Sequence, residues 1–246
     1  MTDSKIEFWR MLAESKAMVG FTGAGISTES GIPDFRSKDG LWTKFKPIEF
    51  KEFLASAEMR LEAWRRYFAI YDVVSKAVPG RGHKALARFV ANGHMHAVIT
   101  QNIDNLHQYS GIPDEKIIEL HGNGSFARCL SCGAREELHV VRAHLDAFCE
   151  VLDCAHCGGL LKSATISFGQ AMPELEMQRA REAIANADLM IALGSSLVVQ
   201  PAAHFTLTAK KYGAKLIIIN REPTGYDAYA DLVIHGDIGD ILEGLS

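Results

Sequence analysis

Ala17-Met18-Val19-Gly20-Phe21-Thr22-Gly23-Ala24-Gly25-Ile26-Ser27 is the stretch on which the fold turns. Its first six residues carry no charge and predict a strand buried on both faces. Gly23-Ala24-Gly25-Ile26-Ser27 then predicts a tight turn opening into a helix. In a strand–turn–helix unit, glycines let the backbone approach a pyrophosphate, and the helix start offers unpaired N–H groups. The third glycine of the usual dinucleotide pattern is missing, because Thr28 stands there. No acidic residue ends a second strand about 20 residues later. By itself the unit is equally well a plain tight turn.

Working outward, Asp3–Ser15 reads as a helix with Ile6, Trp9 and Leu12 along one face. Four further apolar runs read as buried parallel strands: Ala97–Thr100, Leu189–Leu193, Lys215–Ile219 and Leu232–Ile234. Helical patterns around His83–Ala91, Pro173–Asn186 and Pro201–Tyr212 lie between them. Strands alternating with helices predict an α/β fold, a Rossmann-like doubly wound parallel sheet. Two stretches break the alternation. Lys38–Val78 is helical in pattern and aromatic-rich, and Asn123–Lys162 has little buried-strand signal. Both read as insertions that build a smaller lobe: 38–78 helical and 123–162 a zinc ribbon. The Rossmann-like domain is then 1–37, 79–122 and 163–246, and a cleft between lobes is a favoured ligand site.

Composition narrows the classes. The 246 residues carry a formal net charge of −4, which speaks against bulk electrostatic binding to nucleic acid. No apolar run approaches the roughly 20 residues that span a bilayer. The N-terminus lacks an apolar signal core, so the expected location is cytoplasmic. Five cysteines are too few for a disulfide scaffold. Four form Cys129-x-x-Cys132 and Cys154-x-x-Cys157, which supply four thiolates for tetrahedral zinc. A site filled by four sulfurs has no open position, so it is structural. A redox pair is the alternative, and Cys149 is a weaker substitute ligand.

The remaining motifs sit at strand ends. Gly31-Ile32-Pro33-Asp34-Phe35-Arg36 suits a loop covering a ligand, or a surface loop with an Asp–Arg pair. Thr100-Gln101-Asn102-Ile103-Asp104 ends a strand, where open α/β sheets bind ligands. Asn102 or Asp104 serves equally as the cap of a helix over Ile103–Tyr109. His107 reads as a packed or surface histidine, and His83 as the start of a helix. His121 beside Gly122 carries the side chain best suited to general-base work near neutral pH. Gly194-Ser195-Ser196 and Asn220 close two other strands and could bind ribose and phosphate oxygens.

In this order, these motifs, with Phe168-Gly169, resemble the sirtuin family of NAD-dependent protein lysine deacylases, of the bacterial, catalytic-core type. The resemblance runs from residue 23 to residue 220. It implies that NAD, as co-substrate, and an acyl-lysine peptide meet in the cleft, with one structural zinc on Cys129, Cys132, Cys154 and Cys157. Gly23, Ala24, Gly25, Ser27 and Thr28 would hold the pyrophosphate, with Asp34, Phe35 and Arg36 in the loop above it. Gln101, Asn102, Ile103 and Asp104 would line the ribose and nicotinamide pocket. Gly194, Ser195, Ser196, Asn220 and Ile238 would lie near the adenosine half. Ile166, Phe168, Gly169, Gln170, Leu197 and Val198 would take the peptide as an added strand.

The resemblance also implies the reaction. The acyl oxygen attacks C1′ as nicotinamide leaves. His121, with Asn102 beside it, handles the ribose hydroxyls. The products are free lysine, nicotinamide and 2′-O-acyl-ADP-ribose. Two departures stand out. Gln170 replaces a common glutamate, which weakens any preference for basic residues beside the target lysine. Family members that prefer succinyl-lysine carry Tyr-x-x-Arg, where the aligned stretch here is Trp64-Arg65-Arg66-Tyr67, so weak desuccinylation is expected. Trp64, Tyr67, Phe68 and Tyr71 read as helix core for at least two of the four. Protein mono-ADP-ribosylation and a non-catalytic zinc-ribbon module for nucleic acid are the alternatives. No membrane or nucleic-acid partner is expected, and a monomer is favoured.

Overall fold

The structure, a computed structural model, describes residues 3–34 and 46–243. The first helix, α1 (Asp3–Glu14), buries Phe8, Met11 and Leu12. Ile6, expected on its inner face, is 53% exposed. Both stripes have helical spacing, and the stripe carrying Phe8 and Met11 removes more apolar area from water. Strand β1 (Met18–Thr22) is buried throughout. It runs into a 3-10 helix, Ala24–Ser30, where the turn was expected to open into a helix. Gly31 closes that turn in the left-handed region, at φ 81°.

Next come α2 (Phe50–Ala55), α3 (Ala57–Val74), α4 (Arg81–Ala91), β2 (Met95–Thr100), α5 (Leu106–Tyr109) and β3 (Ile117–Glu119). After these follow β4 (Gly122–Cys129), β5 (Arg135–Glu137), α6 (Leu138–Phe148) and β6 (Leu161–Thr165). The chain then alternates through α7 (Glu174–Ala185), β7 (Leu189–Leu193), α8 (His204–Lys211), β8 (Lys215–Asn220), β9 (Leu232–His235) and α9 (Ile238–Leu242).

Six strands form one parallel sheet in the order β3-β2-β1-β7-β8-β9. The order reverses direction at β1, so the carboxyl ends of β1 and β7 open the crevice where such sheets bind ligands. Successive side chains divide between two cores. Leu189, Ile191, Ile217 and Ile219 pack with residues of α1, α4 and α9 on one face. Val19, Phe21, Met190, Leu216 and Ile218 pack with α7 and α8 on the other. A register shift between Met18 and Val19 puts Met95 and Ala97 of β2 on opposite faces.

A second sheet, β5-β4-β6, is antiparallel. It has its own core, built by Trp64 and Phe68 of α3, Val141 and Leu145 of α6, Ala127 and Leu161. Trp64 and Phe68 are 2% and 5% exposed, whereas Tyr67 and Tyr71 pack on the edge of that core. The expected helical stretch 38–78 is helical over α2 and α3, and its first residues, 38–45, lie outside the described residues. The strands and helix between 123 and 162 carry little sequence signal. β5 is Arg-Glu-Glu, and the apolar stripe of α6 is Leu138, Val141 and Leu145. Among the described residues no helix is long and apolar enough to cross a membrane.

Candidate active site

The end of β1 lies against the end of β7. Gly23 N–H donates to Leu193 O at 3.0 Å, and Gly25 N–H to Gly194 O at 2.8 Å. A Cβ on Gly23 would come within 2.8 Å of Gly194 O, and one on Gly25 within 2.7 Å of Gly194 Cα. Both glycines are therefore required first by the approach of two protein backbones. Asn102 Nδ2 donates to Gly23 O at 3.2 Å and to Ser27 Oγ at 3.1 Å. Ser27 Oγ donates to Asp104 Oδ2 at 2.6 Å, and Asp104 Oδ1 accepts from Leu106 N at 3.0 Å. The helix expected over Ile103–Tyr109 is thus shorter. It starts at Leu106 behind Asn105, and Asn102 does not cap it.

His121 lies between the two sheets. Its Nδ1 is 3.0 Å from Gln101 O. A carbonyl oxygen only accepts, so the neutral ring carries its proton on Nδ1 and its basic lone pair on Nε2. Its backbone O accepts from Ile166 N at 2.8 Å. Next to it, Gly122 has φ 73°, and a Cβ there would lie 2.1 Å from Ala164 O. Only glycine allows β4 to leave β6 at this angle. Below the β6 end, buried Lys162 donates to Thr165 O at 2.6 Å, and burial holds its ammonium down to about 8.

One cavity of about 920 Å³ connects these elements. Its wall includes Gly23, Ala24, Gly25, Thr28 and Asp34 at one side. Gln101, Asn102, Ile103 and His121 form its middle. Ile166, Phe168, Gly169 and Gln170 lie toward the antiparallel sheet, and Gly194, Ser195, Ser196, Asn220 and Ile238 toward β8 and α9. Ser27 and Asp104, 1% and 8% exposed, stand behind Asn102 rather than in the wall. Leu197 is buried and Val198 points 63% of its surface outward, while Val199 and Gln200 reach the wall. Phe35 and Arg36 lie outside the described residues.

The four paired cysteines converge. Cys129 and Cys157 sulfurs are 3.5 Å apart, Cys132 and Cys154 sulfurs 3.7 Å, and all four lie within 4.8 Å of one another. Zinc with sulfur arms of about 2.3 Å has tetrahedron edges of about 3.8 Å. The donor set and its spacing fit that ion. Gly133 at φ 75° and Gly158 at φ 68° make the two knuckle turns, and Ser131 N donates to Cys129 Sγ at 3.4 Å. Cys149 stands apart, exposed at the end of α6.

The Sir2 family model matches residues 23–201. The chain belongs to the Sir2 family. It is 55% identical over 232 residues to an NAD-dependent protein deacetylase of Rhodopseudomonas palustris, covering 94% of this chain and 92% of that one. It is 56% identical over 232 residues to NAD-dependent protein deacetylase 1 of Bradyrhizobium diazoefficiens, covering 94% and 91%. Among solved structures, a Sir2 protein with a deacetylated p53 peptide and 3′-O-acetyl ADP-ribose superposes with a TM-score of 0.89 at 36% identity, covering 97% and 96%.

One further cluster at the site has no spacing signal in the sequence. His83, Asp104 and His107 are all buried, with ligating atoms within 4.8 Å of one another. The His83 and His107 rings meet edge-on at 5.0 Å. His107 Nε2 is 3.0 Å from Thr22 Oγ1, which itself bonds Thr100 Oγ1 at 2.8 Å. Burial holds the His83 imidazole down to about 4, and burial and His83 hold His107 well below its ordinary value. Both rings are neutral near pH 7. His83 and Asp104 are 21 positions apart in the chain, and only the β1–β2 crossover brings them together.

Proposed function

We propose that this chain is an NAD-dependent protein lysine deacylase that moves the acyl group from lysine to ADP-ribose and releases nicotinamide. The observation that carries the proposal is His121. Its basic Nε2 is set by the Gln101 carbonyl, in the wall of the same cavity that the Gly23–Gly25 turn and Ser195 line. A cavity of about 920 Å³ is ample for a dinucleotide with a side chain beside it. NAD supplies a glycosidic carbon that becomes electrophilic as nicotinamide departs.

The chain's own groups do the rest. Both Nδ2 hydrogens of Asn102 are taken by Gly23 O and Ser27 Oγ, so its Oδ1 faces a ribose hydroxyl as an acceptor. His121 Nε2 takes the hydroxyl proton and readies that oxygen for attack on the acyl carbon. Ile166–Gln170 and Leu197–Val199 hold the peptide by backbone pairing, with Phe168 and Val198 exposed beside it. Phe35 and Arg36 belong to the covering loop, and Gly194, Ser196, Asn220 and Ile238 serve the adenosine half. The zinc holds the knuckles of the small lobe and takes no part in the reaction. We divide the chain into a Rossmann-like domain (1–37, 79–122, 163–246) and a small domain (38–78, 123–162), acting as a cytoplasmic monomer without nucleic acid.

The test is product analysis by mass after incubation with NAD and an acetyl-lysine peptide. Free lysine and O-acetyl-ADP-ribose in equal amounts support the proposal. ADP-ribose attached to protein without deacylation would instead make the chain an ADP-ribosyltransferase.

A further inference from the structure

One oxygen links the middle of the cavity wall to the buried start of the Leu197–Gln200 segment. Ser195 Oγ accepts from Gln101 Nε2 at 2.9 Å and from Leu197 N at 3.2 Å. The amide orientation of Gln101 has an independent anchor, since the same Nε2 lies 3.4 Å from Thr22 O, which can only accept. A hydroxyl has two lone pairs and one proton. Both lone pairs here meet groups that only donate. The proton is what Ser195 has left, and Ser195 is in the cavity wall at 7% exposure.

The other end of this link is strained. Leu197 has φ 55°, in the left-handed region that branched side chains avoid. Its side chain is 3% exposed in the sheet core, and the next residue, Val198, is 63% exposed. Leu197 is therefore pinned by its side chain on one side and by the Ser195 hydroxyl on the other. The backbone that follows, Val199 and Gln200, lines the cavity.

We infer that Ser195 is a positioning residue that couples occupation of the NAD end to the shape of the peptide-binding edge. The inference rests on the deacylase reading. An anionic or ribose oxygen that accepts the Ser195 proton more strongly than water polarises the hydroxyl. The bond from Leu197 N tightens, the left-handed turn is held, and Val198 is presented in one conformation. Because coupling between sites is reciprocal, peptide binding tightens the cofactor end by the same factor.

Calorimetry with an acetyl-lysine peptide, with and without saturating ADP-ribose, tests this on the whole protein. ADP-ribose should tighten peptide binding by at least about fivefold in the wild type. Ser195→Ala should bring that ratio close to one, and Ser195→Thr, which keeps the hydroxyl, should restore it. A wild type with no coupling, a wild-type ratio in Ser195→Ala, or a folded Ser195→Thr without coupling would overturn the inference. So would a Ser195→Ala loss of peptide affinity that is equal with and without ADP-ribose, since that is mere loop collapse. The two readings fail separately. A deacylase whose peptide affinity ignores ADP-ribose refutes the coupling alone. Coupled binding without acyl transfer refutes the deacylase reading alone.

Discussion

Gly194→Ala tests how the cofactor turn is built. Gly194 has φ 61°, and a Cβ there would lie 2.4 Å from Ile26 N and 2.6 Å from Gly25 C. Both contacts are backbone, so no side chain can swing aside. The left-handed conformation costs alanine about 1–2 kcal/mol. Relieving the clash must part the two backbones by roughly an ångström, which breaks the Gly25 N to Gly194 O bond of 2.8 Å and strains that from Gly23 N to Leu193 O of 3.0 Å. Each is worth about 1 kcal/mol net. The total of about 2–4 kcal/mol should lower Tm by roughly 10 °C in a chain of this size. Thermal unfolding with ADP-ribose then reads the site itself. Ligand at 100 times Kd stabilises by about 2.7 kcal/mol, and a site weakened a hundredfold would gain only about 0.4. Gly93→Ala is the control, with φ 75° and open space around the new Cβ. It should cost only the strain and keep the ADP-ribose shift. A Gly194→Ala protein with wild-type Tm and a wild-type ADP-ribose shift would refute the reasoning.

Acid should destabilise the fold through its buried imidazoles. His83, held at about 4 against an ordinary 6.5, binds a proton in the unfolded chain before it does so in the folded one. Its contribution is complete above pH 6.5 and is lost as pH falls toward 4, and His107 acts in the same direction. Denaturant midpoints at pH 7.5 and 5 should therefore differ less in His107→Gln than in the wild type, and equal losses would disprove the assignment. Metal analysis should find one zinc per chain, absent from Cys154→Ser. That variant should lose over tenfold in peptide turnover yet still bind ADP-ribose on the separately packed parallel sheet, and zinc loss without effect on turnover would count against a structural site. Succinyl-lysine turnover should stay below about a tenth of acetyl-lysine turnover, because no arginine stands at the Tyr-x-x-Arg position from which a guanidinium would meet a second carboxylate. Three residues after Trp64 comes Tyr67, and three after Tyr67 comes Ile70. Equal rates on the two peptides would contradict this.

The parallel sheet was legible because β1, β2, β7 and β8 are buried on both faces, which leaves uninterrupted apolar runs in the chain. The four zinc-spaced cysteines were legible for a different reason, since metal geometry imposes local spacing. What stayed hidden is non-local or half-exposed. In the small sheet β5 is three charged residues, β4 is glycine-rich and only partly buried, and α6 shows only one narrow stripe. The Ser27, Asn102, Asp104, His83 network joins residues from three separate segments, so no spacing announces it. The need for glycine at 23 and 25 was legible, but its immediate cause, the backbone of Gly194, appears only when β7 is placed next to β1.

The most direct measurement is acyl transfer by His121→Ala beside the wild type, with NAD and an acetyl-lysine peptide, followed by mass. The wild type should yield nicotinamide, free lysine and O-acetyl-ADP-ribose in equal amounts. His121→Ala should keep its zinc and ADP-ribose binding and lose at least about a hundredfold in deacylation, as expected when a general base is removed. Deacylation at the wild-type rate in a folded His121→Ala protein would contradict the account.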